Sequence, residues 1–385
     1  MTLPTKLDCS CLTYVPVPHL GFGWVQACIS ILETFSKNGL DPKLYIPRTF
    51  RRISPAINVK QAIPSPLPYH YLSYIGRSVL NLQFDRALAR ADTRGTLAYF
   101  WSSPSSILIH HAHKRGIVTV REMINTSRGA AKAILDDAYD RLGMQPENPI
   151  TSELISRERD ELQMYDYIIS SSPRIDESLL QVGISANKIL RSSFGWSPSE
   201  FTLGQREIVN TGFRALFIGG DMIRKGAPQL LRAWKMSGVE GELLIVGDVK
   251  PSLKTLFSPY MEDGSVRLQA FTTDLGRLYR SSDLFILPSL EEGDPQVTYQ
   301  AAGCGLPIIA TPMGGGNILR DGINGILVQP NDVSSLAEAI CLLAKSPELR
   351  KEMGARAAED ALNYTYEKIG QQRAGLLRNV GATAT

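Results

Sequence analysis

Two short stretches in the second half of the chain concentrate side chains able to do chemistry. The first is Gly219-Gly220-Asp221 followed by Arg224-Lys225-Gly226, after the apolar run that starts at Ala215 and before a helical spacing over Pro228–Met236. Glycines at a strand–helix junction let a ligand approach the backbone, and a helix amino terminus favours an anion. Arg224 and Lys225 would add point charges there. A capped surface helix with two solvated bases is the alternative reading. The second stretch is Ser289-Leu-Glu291-Glu292-Gly293-Asp294-Pro295, after the run Leu284–Pro288 and before a helix over Gln296–Cys304. Acidic and hydroxylic side chains crowd this strand end. Gln300 lies eight residues beyond Glu292, about two helical turns, so both could face one ligand. Backbone N–H groups near Gln296 and Val297 would point at a phosphate. A capping turn with exposed carboxylates is the plainer reading. On adjacent strand ends, Lys225 and Glu292 suit a ligand with a diphosphate at one end and hydroxyls at the other.

Two weaker features are glycine loops. Met313-Gly-Gly-Gly-Asn317 follows the run Pro307–Thr311, and His19-Leu-Gly21-Phe-Gly23-Trp24 lies between the first strand and first helix. The latter is the natural place for the first half to reach across a cleft.

These residues need strand ends to hold them, and the sequence supplies strands. Ala215–Gly219, Glu242–Gly247, Ser265–Gln269, Leu284–Pro288, Pro307–Thr311 and Gly325–Val328 alternate with helical spacings that include Ser334–Lys345. Repeated strand–helix units mean a parallel sheet with helices on both faces. The first half reads similarly: strands over Asp8–Val15, Leu40–Ile46, Leu97–Trp101, Ile117–Arg121 and Tyr167–Ser171, and helices over Val25–Lys37 and Arg174–Val182. The fold class is therefore α/β, with two Rossmann-like parallel-sheet domains joined near Phe194–Leu203. The expected division is 1–198, 199–365, and a final segment 366–385 with a helix over Tyr366–Leu377 and a frayed polar tail. Ligands of open parallel sheets bind beyond the carboxyl ends of the strands, so two such domains would face each other across a cleft.

Composition narrows the class. The 385 residues are 43% hydrophobic and 21% charged, which excludes a disordered, collagenous or coiled-coil chain. No apolar run approaches the ~18 residues of a membrane span. The amino terminus lacks the pattern of an export signal. Five cysteines without CxxC spacing argue against zinc and a disulfide framework, as in a reducing compartment. A soluble cytoplasmic protein is expected. The net charge of +3 does not suggest a nucleic-acid partner, but its distribution is uneven. Residues 43–84 hold Lys43, Arg48, Arg51, Arg52, Lys60 and Arg77 and no acid, interleaved with Tyr45, Phe50, Tyr69, Tyr71 and Tyr74. This reads either as a solvated basic loop or as a surface for anionic lipid headgroups or an anionic acceptor.

The order of motifs is recognisable. FIGGDMIRKGAPQLLRAW, ELLIVGD, LGRLYRSSDLFILPSLEEGDPQVTYQAAGCGLPIIAT and GGGNILRDGINGILVQPND closely resemble the retaining, nucleotide-sugar-dependent glycosyltransferases of family 4 (group 1), which have the GT-B architecture. The resemblance covers most of residues 213–345. It is looser in the first half, through the glycine loop and the block YDYIISSSPRIDESLLQVGISANKILRSSFGWSPSEF. The last helix resembles the family's helix crossing back onto the first domain.

The resemblance implies a donor site made of Gly21, Gly23, Gly220, Arg224, Lys225, Phe271, Glu292, Gly293, Pro295, Gln296, Val297, Thr298 and Gln300. Lys225 falls on the phosphate-binding lysine, and Glu292 and Gln300 on an acidic pair that holds sugar and ribose hydroxyls. Lys225 and Glu292 carry the catalytic roles. Amides of Gln296 to Thr298 would take the diphosphate, and residues 270–272 would border the base. The resemblance also puts Glu122, Asn125 and Ser127 on the acceptor side. Three departures stand out. Gln300 replaces an acid, Gly220 replaces a common arginine, and the segment Arg121–Ser127 lacks the histidine many relatives place near the sugar. His110, His111 and His113 read as structural.

The implied activity is hexosyl transfer from a UDP- or GDP-linked sugar to a glycan or lipid-linked acceptor, with retention. The family needs no metal or cofactor, and none is expected here. The implied location is cytoplasmic, peripheral on the inner face of a membrane through residues 43–84. A degenerate, non-catalytic donor-binding subunit and a nucleotide-sugar epimerase are the alternatives. An oxidoreductase is disfavoured because no GxGxxG with a downstream acid follows the first strand.

Overall fold

The computed structural model describes residues 9–201 and 212–382. The expected features at Asp8, at Leu203 and in the last three residues lie outside them. Contacts divide the chain into two compact units. One comprises Met1–Ser127, Thr151–Ser193 and Tyr366–Thr385, the other Arg128–Ile150 and Phe194–Thr365.

The first unit runs β1 (Cys9–Tyr14), α1 (Gly23–Phe35), β2 (Leu40–Ile46), β3 (Asn58–Gln61), α2 (Tyr69–Arg90), β4 (Thr96–Phe100), α3 (Ser106–Lys114) and β5 (Val118–Met123). The chain then lends α4 (Arg128–Asp140) to the second unit. It returns with α5 (Ser152–Met164), β6 (Tyr167–Ser170), α6 (Pro173–Gln181) and β7 (Ile189–Arg191). The seven strands pair in parallel in the order β3-β2-β1-β4-β5-β6-β7. Thr151 caps α5, accepting from the Leu154 N–H, and Ser172 caps α6 ahead of Pro173.

The second unit adds β8 (Arg214–Ile218), α7 (Ala227–Ser237), β9 (Glu242–Val246), α8 (Pro251–Phe257), β10 (Val266–Gln269), α9 (Leu275–Arg280), β11 (Leu284–Leu287), α10 (Gln296–Gly303), β12 (Ile308–Ala310), β13 (Gly325–Leu327), α11 (Val333–Lys345) and α12 (Pro347–Ala361). Its six parallel strands lie in the order β10-β9-β8-β11-β12-β13. β8 and β11 are buried along their whole length, as apolar strands must be when helices cover both faces, and the one charge at the start of β8, Arg214, is paired with Glu242 at 2.6 Å. In both sheets the order reverses beside the first strand, between β1 and β4 and between β8 and β11. Those are the switch points where open parallel sheets leave a crevice at the strands' carboxyl ends. The last helix, α13 (Tyr366–Ala382), belongs to the first unit.

The unit boundary falls at 193/194, where the sequence suggested 198/199. Phe194 already donates its N–H to Asp294 at 2.7 Å, and the Trp196 indole donates to the Ala361 carbonyl at 2.7 Å. Residues 128–150 pack with the second unit, and Ala138 and Tyr139 sit in its core.

The stretch 43–84 is not a loop. It holds the end of β2, all of β3 and most of α2, and Tyr45, Leu80 and Phe84 are core residues. The strand expected to end at Arg121 runs on as β5, so Arg121 and Glu122 both lie on it. A strand buried on both faces accepts such a pair only when each charge has a partner. Arg373 of α13 reaches Glu122 at 2.7 Å and Arg121 lies 3.7 Å from Glu161.

Candidate functional site

The turn after β8 and the loop after β11 meet at the switch point of the second sheet. Leu290 donates its N–H to the Arg224 carbonyl at 2.8 Å, which ties one to the other. Gly226 makes the approach possible. Its φ is +74°, and a Cβ there would sit 2.0 Å from the Pro288 carbonyl oxygen. Only glycine fits, and α7 starts immediately after it.

The meeting brings five charged side chains together. The Lys225 ammonium bonds Glu292 Oε1, and Arg224 Nη1 lies 3.1 Å from Glu292 Oε2. The same guanidinium lies 3.5 Å from Glu291 Oε2, donates to the Glu291 carbonyl at 3.2 Å, and lies 3.8 Å from Asp221. Both glutamates are buried. Burial opposes charge on Glu292, but Lys225 and Arg224 overcome it and hold the carboxyl below the usual carboxylate range. Burial likewise works against the Arg224 charge, and Glu292, Glu291 and Asp221 more than restore it. The cluster is a partly buried patch of fixed charge at a strand-end crevice, able to meet an anion through cations and hydroxyls through a carboxylate.

The other residues expected in this site fall into place unevenly. Gly293 and Pro295 lead from Glu292 into α10, whose amino end carries Gln296, Val297 and Thr298. Pro295 occupies the N-cap, and no side chain caps that helix. The Thr298 hydroxyl is committed, donating to Gly314 at 2.7 Å. Glu292 stands in the loop before α10, so the eight residues to Gln300 are not two turns of one helix face; Gln300 Oε1 accepts from the Tyr279 hydroxyl at 3.0 Å. Gly220 is exposed, with open space where a Cβ would stand. Phe271 is exposed beyond β10.

Asp294, counted among the crowd of acids, is a structural clamp. It accepts the Tyr299 hydroxyl at 2.5 Å and the Phe194 and Asn317 N–H groups at 2.7 and 3.3 Å. The triple-glycine loop packs inward as well: a Cβ on Gly314 would lie 1.9 Å from the Leu287 carbonyl oxygen. Nothing in the local sequence marks Tyr279 or Asp294 for these tasks, because their partners are distant in the chain.

Gly21, Gly23, Glu122, Asn125 and Ser127 belong to the first unit. Gly21 and Gly23 flank the exposed Phe22 where α1 begins. Asn125 is exposed, while Ser127 is buried and its N–H donates to Ser178 at 3.0 Å. Glu122 points into the core, where its pKa is raised by burial against the pull of Arg373 and the Tyr99 hydroxyl. Of the three histidines on α3, His111 bonds Asp85 at 2.5 Å and His113 bonds Thr119 at 3.0 Å. Among the described residues no three His, Cys, Asp or Glu side chains gather as metal ligands, and no helix is long and apolar enough to cross a membrane.

Residues 212–346 match the family model described as "Glycosyl transferases group 1". The N,N'-diacetylbacillosaminyl-diphospho-undecaprenol α-1,3-N-acetylgalactosaminyltransferase of Campylobacter jejuni is 28% identical over 160 residues, 41% of this chain and 42% of that one. The chain spans less than half the length of the first curated relatives it matches. Among solved structures, sucrose-phosphate synthase from Thermosynechococcus elongatus superposes with a TM-score of 0.74 at 18% identity, covering 97% of this chain and 100% of that one. Anabaena HepE, solved with UDP-glucose, gives 0.72 at 16% identity, over 96% and 99%.

Proposed function

From a GT-B fold whose second unit resembles the group 1 glycosyltransferases, we propose that the protein is a hexosyltransferase, moving a hexose with retention from a nucleotide diphosphate sugar to a glycan or lipid-linked acceptor. The observation that carries this reading is the Lys225–Glu292–Arg224 cluster at the β8/β11 switch point, inside the matched segment. HepE was solved with UDP-glucose, and the Campylobacter relative is named for a lipid-linked acceptor; both favour these substrate classes.

In the proposed reaction the glycosyl C1–O bond breaks and its electron pair leaves with the nucleotide diphosphate. The acceptor hydroxyl oxygen bonds C1 on the same face, and its proton passes to the departing phosphate. Lys225, with Arg224 behind it, would stabilise charge growing on the leaving group, where fixed cations in a partly buried site act most strongly. The amide N–H groups at the start of α10 would do the same for the second phosphate. Glu292 would hold donor sugar hydroxyls, its charge secured by the two cations. No step calls on a metal, and no side chain is needed as a dedicated base. The proposed location is the cytoplasmic face of an anionic membrane, held peripherally through residues 43–84.

A thermal-shift screen over nucleotide diphosphates and their sugars tests the donor, since a specific ligand raises apparent stability by mass action. Donor turnover with and without acceptor then tests the reaction. Binding without turnover would identify a non-catalytic donor-binding subunit, and turnover to an isomeric donor without acceptor would identify an epimerase.

A further inference from the structure

We propose a second anion site, in the first unit, for a small hydroxyl-bearing phosphomonoester. It occupies the cavity of about 550 Å³ where the last third of α2 crosses the starts of β1 to β4. The strand pairings place Ser10 beside Thr96, Leu12 beside Lys43, and Lys43 beside Asn58. Successive strand residues alternate faces, so Ser10, Lys43, Asn58 and Thr96 share the face that α2 covers. Farther along the same strands that face carries Tyr14, Tyr45, Ala98 and Phe100, packed under Leu80 and Phe84 of α2. The face therefore changes from aromatic core to polar floor within one strand length.

Above the floor, α2 presents Gln83, Arg86, Ala87 and Arg90, all lining the cavity. Their spacing is one helical stripe that runs beside the buried one of Leu80, Phe84 and Leu88, and Arg86 and Arg90 on it are exposed at the cavity's rim. Lys60 joins them from β3. Lys43 is engaged by Asp41 at 3.0 Å, but no carboxylate among the described residues pairs with Lys60, Arg86 or Arg90. The one acid in the lining, Asp92, accepts the Arg94 N–H.

Two of the lining's buried polar atoms, Ser10 Oγ and Gln83 Oε1, lack hydrogen-bond partners among the described residues. Ser10 can donate to a phosphate oxygen. Gln83 Oε1 can only accept, so it asks the ligand for a hydroxyl as well as a phosphate. Leu12, Tyr45 and Ala87 supply an apolar wall for a short carbon skeleton. The cavity lies toward the amino ends of the strands, the end opposite to a sheet's switch-point crevice, and in the unit that does not contain Lys225 and Glu292.

Calorimetric titration of the full chain with glycerol phosphate tests the proposal. Saturable binding is expected, weakened about tenfold or more by Arg86→Ser with Arg90→Ser, since charge-assisted hydrogen bonds dominate such sites. Ser10→Ala should weaken it less, and Lys60→Ser should act in the same direction as the arginine pair. Arg157→Ser with Arg159→Ser, which removes the same charge from exposed positions on α5, should leave it unchanged, as should Lys225→Ala. Excess sedimentation with phosphatidic acid vesicles over phosphatidylserine vesicles of equal charge separates a lipid headgroup from a free metabolite as the source of the phosphomonoester; that excess, or the free-ligand binding, must depend on Arg86 and Arg90. No saturable binding, equal loss with the α5 pair, or loss with Lys225→Ala alone would overturn the site.

Discussion

Lys225 and Glu292 form one ion pair but should fail differently when removed. Lys225→Ala should weaken nucleotide diphosphate binding by about 1.5–3 kcal/mol, the range for a charge-assisted hydrogen bond, and unchanged calorimetric affinity would take Lys225 out of the site. Glu292→Gln should lower donor turnover and leave free nucleotide diphosphate affinity nearly intact. If both fall together, Glu292 serves the nucleotide or the fold. Glu292 also sets a pH dependence. Its folded pKa is depressed, so the stability it contributes is present above the ordinary carboxylate value and lost as pH falls through the lower folded one. Urea unfolding from about pH 7 down to about pH 3, on either side of the ordinary glutamate value of ~4.3, should show the wild-type advantage over Glu292→Gln shrinking with acid. An advantage constant across that range would mean the pair is not a charged one. At this scale the sequence was informative about types and strand ends: arginine, lysine and glutamate at two switch-point strands are visible in IRKG and LEEGD. It was silent on pairings. Gln300 answers to Tyr279 and Asp294 to Tyr299, Asn317 and Phe194, and a side chain's partner across the fold leaves no local trace.

At the level of elements, α13 is held by a pair with no exposure at all, Arg373 and Glu122, and Arg373 also donates to Tyr99 at 3.0 Å and the Ser193 carbonyl at 2.8 Å. Removing one partner strands a buried charge. Arg373→Met should cost roughly 3–5 kcal/mol in urea unfolding, and adding Glu122→Leu should recover much of it. Equal losses in the single and double variants would mean the pair contributes through shape alone. The strands were legible because buried parallel strands are short unbroken apolar runs, as in β8, β11 and β12. The helix α2 was not. Only its last half has core residues at helical spacing (Leu80, Phe84, Leu88), while Tyr74 is four-fifths exposed and three prolines precede it. β3 was hidden for a related reason: its four residues, NVKQ, form an edge strand with none buried.

For the molecule as a whole, the basic and aromatic surface of the first unit bears on where the protein works. Phe50 stacks edge-on against Tyr69 at 5.5 Å with Arg48 over its face at 5.1 Å, while Leu20, Phe22 and Leu67 are exposed on neighbouring loops. Each arginine near an anionic surface contributes roughly 1 kcal/mol, decaying over a Debye length of ~8–10 Å. Sedimentation with anionic vesicles should be present at low salt and fade as salt rises. Replacing Arg48, Arg51 and Arg52 by Ser should abolish it, and absence of binding at low salt would sink the membrane idea while leaving the transferase proposal standing. The stretch is more structural than its composition suggests, so the unfolding transition of the triple variant must be measured beside it.

The return of the last helix to the first unit also fixes an order in time. A chain emerging from the ribosome amino end first usually completes its amino-terminal domain first. Here the helix that covers α1 and carries Arg373 is made after every piece of the second unit, α4 included, all of which have emerged once Thr365 is out. The second unit should therefore close first, with the earlier-made one waiting for α13 and Glu122 buried without its cation. Nascent chains stalled with Thr365 just clear of the exit tunnel should resist protease across 212–365 and be cut within 9–127. Chains carried past Ala382 should resist in both.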